Sequence, residues 1–167
     1  MLILLFIFCF MKIKLIAIGK TNESFLIEGE NEYLKRITKY IGFEKIEIPD
    51  LKNAKNLSEH EIKLEEGKLI LKKIEGSGLV ILLDDKGKEF TSMKFANWMQ
   101  QKMNMSYKHI TFVIGGAYGF SDAVYNIADQ KISLSKLTFS HQMIRLFFIE
   151  QIYRAFTILN NEPYHHE

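Results

Sequence analysis

With one cysteine, Cys9, in 167 residues, the chain has no internal disulfide framework and no cysteine-based zinc site. That usage suits a reducing compartment, and a cytoplasmic location is expected. Proline is rarer than usual (Pro49 and Pro163), and ten glycines are too few for a long disordered linker, a collagen-like repeat or a low-complexity segment. An excess of one charge is missing as well: 22 lysines and arginines face 20 acidic residues, a net charge of +2. An indiscriminate polyanion binder carries a larger excess, because its affinity comes from counterion release at many phosphates. A nucleic-acid partner must therefore meet basic groups gathered on one face, or offer a shaped surface of its own. No apolar run is long enough to span a membrane. Met1 to Met11 is almost wholly apolar, but a spanning helix needs roughly 20 such residues. Lys12 and Lys14 follow that run instead of preceding it, and no small-residue cleavage site comes after, the wrong order for a secretory signal. Met11 is read as the functional start, residues 1–10 as an upstream extension outside the fold, and residues 11–167 as one domain without membrane attachment.

The remaining composition, 47% hydrophobic and 25% charged, is that of one globular domain with a full core. Short β-rich runs alternate with longer helical stretches. Ile13 to Ile18 reads as a buried strand closed by Gly19, and residues 24–40 carry helical spacing through Phe25, Tyr33, Leu34 and Ile37. Phe43 to Ile48 predicts a strand ended by Pro49-Asp50. Ser58, with Glu61 three residues on, predicts a capping box opening a helix to about Glu75, whose mixed charges read as a solvated face. Strands are expected at 79–83, 110–114 and 132–134, and helices at 92–103, from Ser121, and over 141–159. Strands without period-two alternation are buried on both faces, and the β/α alternation agrees: the expectation is an α/β fold with a mostly parallel sheet covered by helices.

Ligands of such sheets bind at the carboxyl ends of strands. Three ends stand out: Leu83-Asp84, the glycine loop Gly115-Gly116-Ala117-Tyr118-Gly119, and the segment 133–139. The glycine loop lacks dinucleotide and P-loop spacing, so it is either a bare tight turn or a close-approach ligand loop. The segment 133–139 either plugs the core or lines a slot with Leu134, Leu137 and Phe139. The last predicted helix is apolar on two adjoining faces, one through Ile144, Phe148, Ile152, Ala155 and Leu159, the other through Leu146, Ile149, Tyr153 and Phe156. One face can pack on the sheet and leave the other for a second subunit, so a homodimer is expected. Arg145 lies between these faces and needs a partner or a function. Arg154 follows Glu150 by four residues, a helical ion pair, and points about 180° away from Arg145, so one subunit can hardly use both at one site. The tail has Tyr164, His165 and His166, but no cysteine or spaced carboxylates complete a metal site, and none is expected.

Taken together, Leu83-Asp84 with Gly87-Lys88, the run 112–119, the run 133–139, His141-Gln142-Met143-Ile144-Arg145, Glu150 to Ala155 and Pro163-Tyr164-His165 resemble the RlmH family. These are small SPOUT-class methyltransferases of bacterial large-subunit ribosomal RNA. The resemblance runs from Met11 to Glu167. It implies a deep C-terminal trefoil knot, a homodimer, S-adenosyl-L-methionine as cofactor, and methylation at N3 of a pseudouridine in the decoding-centre stem-loop of 23S rRNA within assembled ribosomes. Carried over by position, the cofactor residues are Leu83, Gly115, Leu134, Ser135, Lys136, Leu137, Thr138 and Phe139. His141, Arg145, Arg154, Tyr164 and His165 are the candidates for base or charge stabiliser, with no choice among them. Ser140 stands where relatives usually have proline, and a looser turn into the last helix is expected from it. The rival readings are a related knotted enzyme acting on transfer RNA and a non-catalytic ribosome-binding factor.

Overall fold

The computed structural model describes residues 11–105 and 107–166; the expected upstream extension lies outside the described residues. Its sheet has five strands, β1 (Lys12–Ile18), β2 (Gly42–Ile48), β3 (Leu79–Glu89), β4 (His109–Ile114) and β5 (Gln130–Ser133), in the order β2-β1-β4-β3-β5. All four pairings are parallel. Parallel neighbours need crossover connections, and helices α1 (Ser24–Ile37), α2 (Glu59–Ile74), α3 (Ser92–Met103), α4 (Asp122–Ile127) and α5 (Met143–Leu159) supply them or follow the last strand.

The helices cover both faces of the sheet. Ile13, Leu15, Ile81 and Phe112 pack with Ile37, Met99, Phe148 and Ile152, which places α1, α3 and α5 on one face. Ile16, Ile18, Leu82 and Val113 pack with Ile70, Ile74 and Val124, which places α2 and α4 on the other. Neighbouring residues such as Leu15 and Ile16 point to opposite faces of a strand. Both are buried here, so β1 reads as a continuous apolar run instead of an alternating one. Phe148, with its ring centroid 4.7 Å from that of Phe112, ties α5 to the sheet centre, a burial worth roughly 1.5–3 kcal/mol.

Several local outcomes refine the sequence reading, and one overturns it: the second apolar face of α5 is not left for a partner, because Ile149 and Phe156 are buried in the chain's own core. Phe25 points outward from α1, and Leu26, Glu30 and Ile37 are the residues it buries. The capping box of α2 forms as expected, with Ser58 Oγ accepting from the Glu61 amide at 3.3 Å and Glu61 accepting from the Ser58 amide at 2.8 Å. Opposite its solvated face, α2 carries a buried stripe of Ile62, Glu66, Gly67, Ile70 and Ile74. β3 does not end at Leu83 but slips register against β5 and runs on to Glu89. Gly87 makes this possible, because a Cβ there would lie 2.5 Å from the backbone of Ile132. Finally, Ser140 bonds into the turn before α5: its hydroxyl accepts from the Met143 amide at 3.1 Å and its carbonyl from the Ile144 amide at 3.0 Å.

Candidate functional site

β3 and β4 share their last paired rung at Leu83 and Ile114, and β5 ends beside them at Ser133. The segments leaving these three ends enclose a cavity of about 430 Å³, within the range of small-molecule sites. Its walls are the start of the β3 overrun (Leu83 to Lys86), the glycine loop (Gly115 to Phe120), the segment from Ile132 to Phe139 and the entry to α5 (His141 and Ile144), with Tyr125 of α4. Apolar residues such as Leu83, Ile114, Leu134 and Ile144 share the lining with the polar Asp84, Ser133, Ser135 and Thr138, a mixture suited to a flat heterocycle with polar substituents. The glycine loop is held by the Gly119 amide donating to the Gly116 carbonyl at 3.1 Å, with Gly119 at φ +81°. The third segment is braced by its own serines: Ser133 Oγ donates to the Ser135 carbonyl at 2.9 Å, and Ser135 Oγ accepts from the Leu137 amide at 3.0 Å.

Asp84 is fixed at the rim. One carboxylate oxygen accepts from the Lys86 amide at 2.8 Å and the other from the Tyr125 hydroxyl at 2.6 Å. Burial, and then the bond to Asp84, push the Tyr125 phenol above its ordinary range, so it stays a neutral donor. Among the described residues, no three His, Cys, Asp or Glu side chains converge as a metal site would need.

Of the residues expected to bind the cofactor, Leu83, Gly115, Leu134, Ser135, Leu137, Thr138 and Phe139 line this cavity. Lys136 does not; its side chain is exposed on the outer side of the segment. Leu137 lines the cavity mouth but is 74% exposed, and close by the Phe139 ring pairs with that of Phe147, itself exposed on α5, at 5.1 Å between centroids.

The five catalytic candidates separate into three places. His141 is in the cavity wall. Arg145 is not: its guanidinium is fully buried behind α5 and donates to the His141 carbonyl at 2.9 Å, to Thr21 Oγ1 at 3.0 Å and to the Ile18 carbonyl at 2.7 Å. Glu47 lies 3.7 Å from it, within a group that also joins Lys45, Glu30 and Thr21. Burial pushes the Glu47 carboxyl up, but the Lys45 bond, the Thr21 amide and the charge of Arg145 outweigh it and leave Glu47 below the usual carboxylate range. Arg154, Tyr164 and His165 form the third group, at the far end of α5. Arg154 pairs with Glu150, stacks its guanidinium 4.7 Å from the Tyr164 ring centroid and lies 3.4 Å from His165 Nδ1. Tyr164 donates to Glu150 at 3.0 Å and shares a hydroxyl contact with Tyr33 at 3.2 Å. Arg154 is ten residues beyond Ile144, about 15 Å along the helix, so this group does not reach the cavity of its own chain.

Sequence reasoning missed Glu66. It is a buried acid on α2 directly behind Gly116, where a Cβ would lie 2.5 Å from Glu66 Oε2. Its spacing carries the signal, since it stands four residues from both Ile62 and Ile70 on the apolar stripe.

The comparisons with known proteins agree with this architecture. The family model described as Predicted SPOUT methyltransferase matches residues 11–165. A protein of Parabacteroides distasonis named Ribosomal RNA large subunit methyltransferase H is 62% identical over 157 residues, 94% of this chain and 100% of that protein. A protein of the same name from Flavobacterium johnsoniae is 56% identical with the same coverage. Among solved structures, a probable methylase family protein from Haemophilus influenzae Rd KW20 superposes with a TM-score of 0.56 at 13% identity, covering 93% of this chain and 70% of that one. A probable methyltransferase from Bordetella pertussis Tohama I gives 0.53 at 14%, covering 87% and 96%. At such identities the structural likeness is one of fold, whereas the sequence matches span nearly the whole chain. The chain belongs to the SPOUT methyltransferase family, in its ribosomal RNA large subunit methyltransferase H group.

Proposed function

We propose that this protein methylates N3 of a pseudouridine in the decoding-centre stem-loop of 23S rRNA, using S-adenosyl-L-methionine and acting on assembled ribosomes in the cytoplasm. The observation that carries the reading is the cavity at the carboxyl ends of β3, β4 and β5, walled by the residues expected to hold the cofactor. Its fit to a bent nucleoside sulfonium rests on the glycine loop, which permits close backbone approach, and on the apolar faces of Leu83, Leu134 and Ile144. When bound there, the cofactor supplies a methyl group on a positively charged sulfur. We further infer that the chain from β3 to α5 is threaded as a deep trefoil knot. The overrun of β3 across β5 and the return of residues 133–139 beside the glycine loop support that threading.

What the chain's own residues contribute is positioning and proton handling. Holding the attacking nitrogen in line with the donor can supply roughly 7–11 kcal/mol of barrier lowering. The N3–H of pseudouridine is weakly acidic, so a proton acceptor or a cation beside the developing charge helps. His141, on the cavity wall, is placed for this within one protomer. Arg154, Tyr164 and His165 lie too far along α5 to serve the cavity of their own chain, and we assign them to the partner's cavity in a homodimer. Leu137 at the cavity mouth and Phe147, packed on Phe139, are both exposed, and apolar side chains so presented support that dimer. Arg145, sealed from the cavity and bonded to Ile18, Thr21 and His141, acts through the segments it holds.

The near-neutral net charge supports a preformed ribosomal surface over free RNA as the substrate. Methylation assays on assembled ribosomes and on protein-free 23S rRNA, with mass mapping of the product, test this. Faster modification of the ribosome at a single pseudouridine is expected. Equal rates on both substrates contradict the ribosome requirement. A methylated transfer RNA or no methylation at all would favour one of the rival readings.

A further inference from the structure

We propose that Glu66 is a positioning residue for the glycine loop: held uncharged beneath Gly116, it keeps residues 115–119 in their cavity-forming shape, and its ionisation loosens them. The ligand-binding consequence rests on the cofactor reading above; the effect on the loop does not.

Two close approaches hold α2 against the back of this loop. A side chain at Gly116 would run into both carboxyl oxygens, with a Cβ 2.5 Å from Oε2 and 2.7 Å from Oε1. One turn face further on, Gly67 packs against Ser121, so that a Cβ there would meet the serine side chain. The loop is therefore clamped by α2 near both of its ends, and it forms the opposite side of the cavity wall. Glu66 itself is only 8% exposed, and Oε2 is buried with no hydrogen-bond partner. Buried polar atoms are rarely left so, and a charged carboxylate in that position would carry a far larger desolvation cost than the neutral acid.

The surroundings offer the charge little relief. The charged group acting on Glu66 is Asp50, from the segment after β2, and it is another acid. From the loop side, residues 115–121 bring only Tyr118 as a titratable group, and α4 opens with the acid Asp122. On α2, Lys63 is half-buried, while Glu65 and Lys68 pair with each other on the outer surface. Burial, reinforced by Asp50, raises the Glu66 carboxyl to about 7. Ionisation thus falls in the range where cells and assays operate. The new anion must then recruit water or main-chain N–H donors, and the loop backbone at Gly116 lies against both of its oxygens.

The test uses the full chain and its Glu66→Gln variant, which keeps the shape of the neutral acid. Amide signals of Gly115, Gly116 and Gly119 are followed by NMR from about pH 5.5 to about pH 8.5. In the native protein they are expected to titrate together near pH 7, and in Glu66→Gln that shared titration is expected to vanish. Calorimetry with S-adenosylhomocysteine over the same range should show affinity falling by about 30-fold between about pH 6 and about pH 8.5 if only the uncharged acid supports the site, with no such fall in the variant. Loop amides that do not titrate in the native protein, or that titrate equally in Glu66→Gln, overturn the proposal. So does a native affinity that stays flat while the amides shift. Failure of the homocysteine derivative to bind at any pH counts against the cofactor reading instead, and the amide titration still decides the role of Glu66.

Discussion

Replacing Arg145 with methionine removes the charge and the hydrogen bonds while keeping much of the volume. The guanidinium satisfies the Ile18 carbonyl at the end of β1, the Thr21 hydroxyl and the His141 carbonyl, and it partners the Glu47 carboxylate. Each buried acceptor left without a donor costs about 1–3 kcal/mol. Glu47 keeps its ion pair with Lys45 at 2.7 Å, so its carboxylate is not stranded and the lost contact with Arg145 adds little. Lys45 still reaches the Thr21 hydroxyl, so the two orphaned carbonyls set the expected loss at about 2–6 kcal/mol. Urea unfolding at neutral pH measures it. Adding Glu47→Gln to Arg145→Met should recover none of the loss, since Lys45 then loses a carboxylate partner. Arg145→Lys should fall between, with one point charge in place of a planar fork. A loss below about 1 kcal/mol in Arg145→Met, with methylation nevertheless abolished, would refute the structural role and return Arg145 to direct contact with the nucleobase.

Three further outcomes are expected. Glu66 has its folded-state carboxyl raised from 4.5 to about 7, so its contribution is undiminished below about pH 4.5 and is lost as pH rises towards 7; at about 1.36 kcal/mol per unit the loss totals about 3 kcal/mol. Urea unfolding at about pH 8 should therefore find Glu66→Gln more stable than the native chain, with the gain disappearing near pH 4.5. Ser58→Ala removes the capping box of α2 and should cost about 1 kcal/mol by thermal or urea unfolding. Mixing inactive His141→Ala and Arg154→Ala chains should restore about a quarter of native methylation, because half the dimers then carry one intact site built from both protomers; no recovery would place Arg154 outside the partner's site.

Where burial follows directly from local pattern, the sequence was readable. The apolar strands, the Ser58–Glu61 box and the start of α3 at Ser92 all follow from spacing and side-chain type. The cavity walls were also legible, because glycines and small polar residues after a buried strand mark a chain leaving the core. Long-range compensation was not. Arg145 gave no sign that its partners were Ile18 and Thr21, more than 120 residues away in sequence. Lys136 sits in a run of lining residues but faces out, since a segment with turns does not keep one side inward. The overrun of β3 was hidden because Asp84 to Lys88 has the composition of a loop, and only the missing side chain of Gly87 lets it cross Ile132. Glu66 looked like one more surface acid on a mixed-charge helix until Ile62, Ile70 and Gly67 put it on the inner stripe.

The central claim is that the cavity at the ends of β3, β4 and β5 holds S-adenosyl-L-methionine, and a crystal structure of the protein soaked with S-adenosylhomocysteine tests it most directly. The nucleoside is expected between Leu83, the Gly115–Gly119 loop and residues 134–139, with the sulfur facing the dimer partner. A ligand bound elsewhere, or a cavity left empty at saturating concentration, would contradict it.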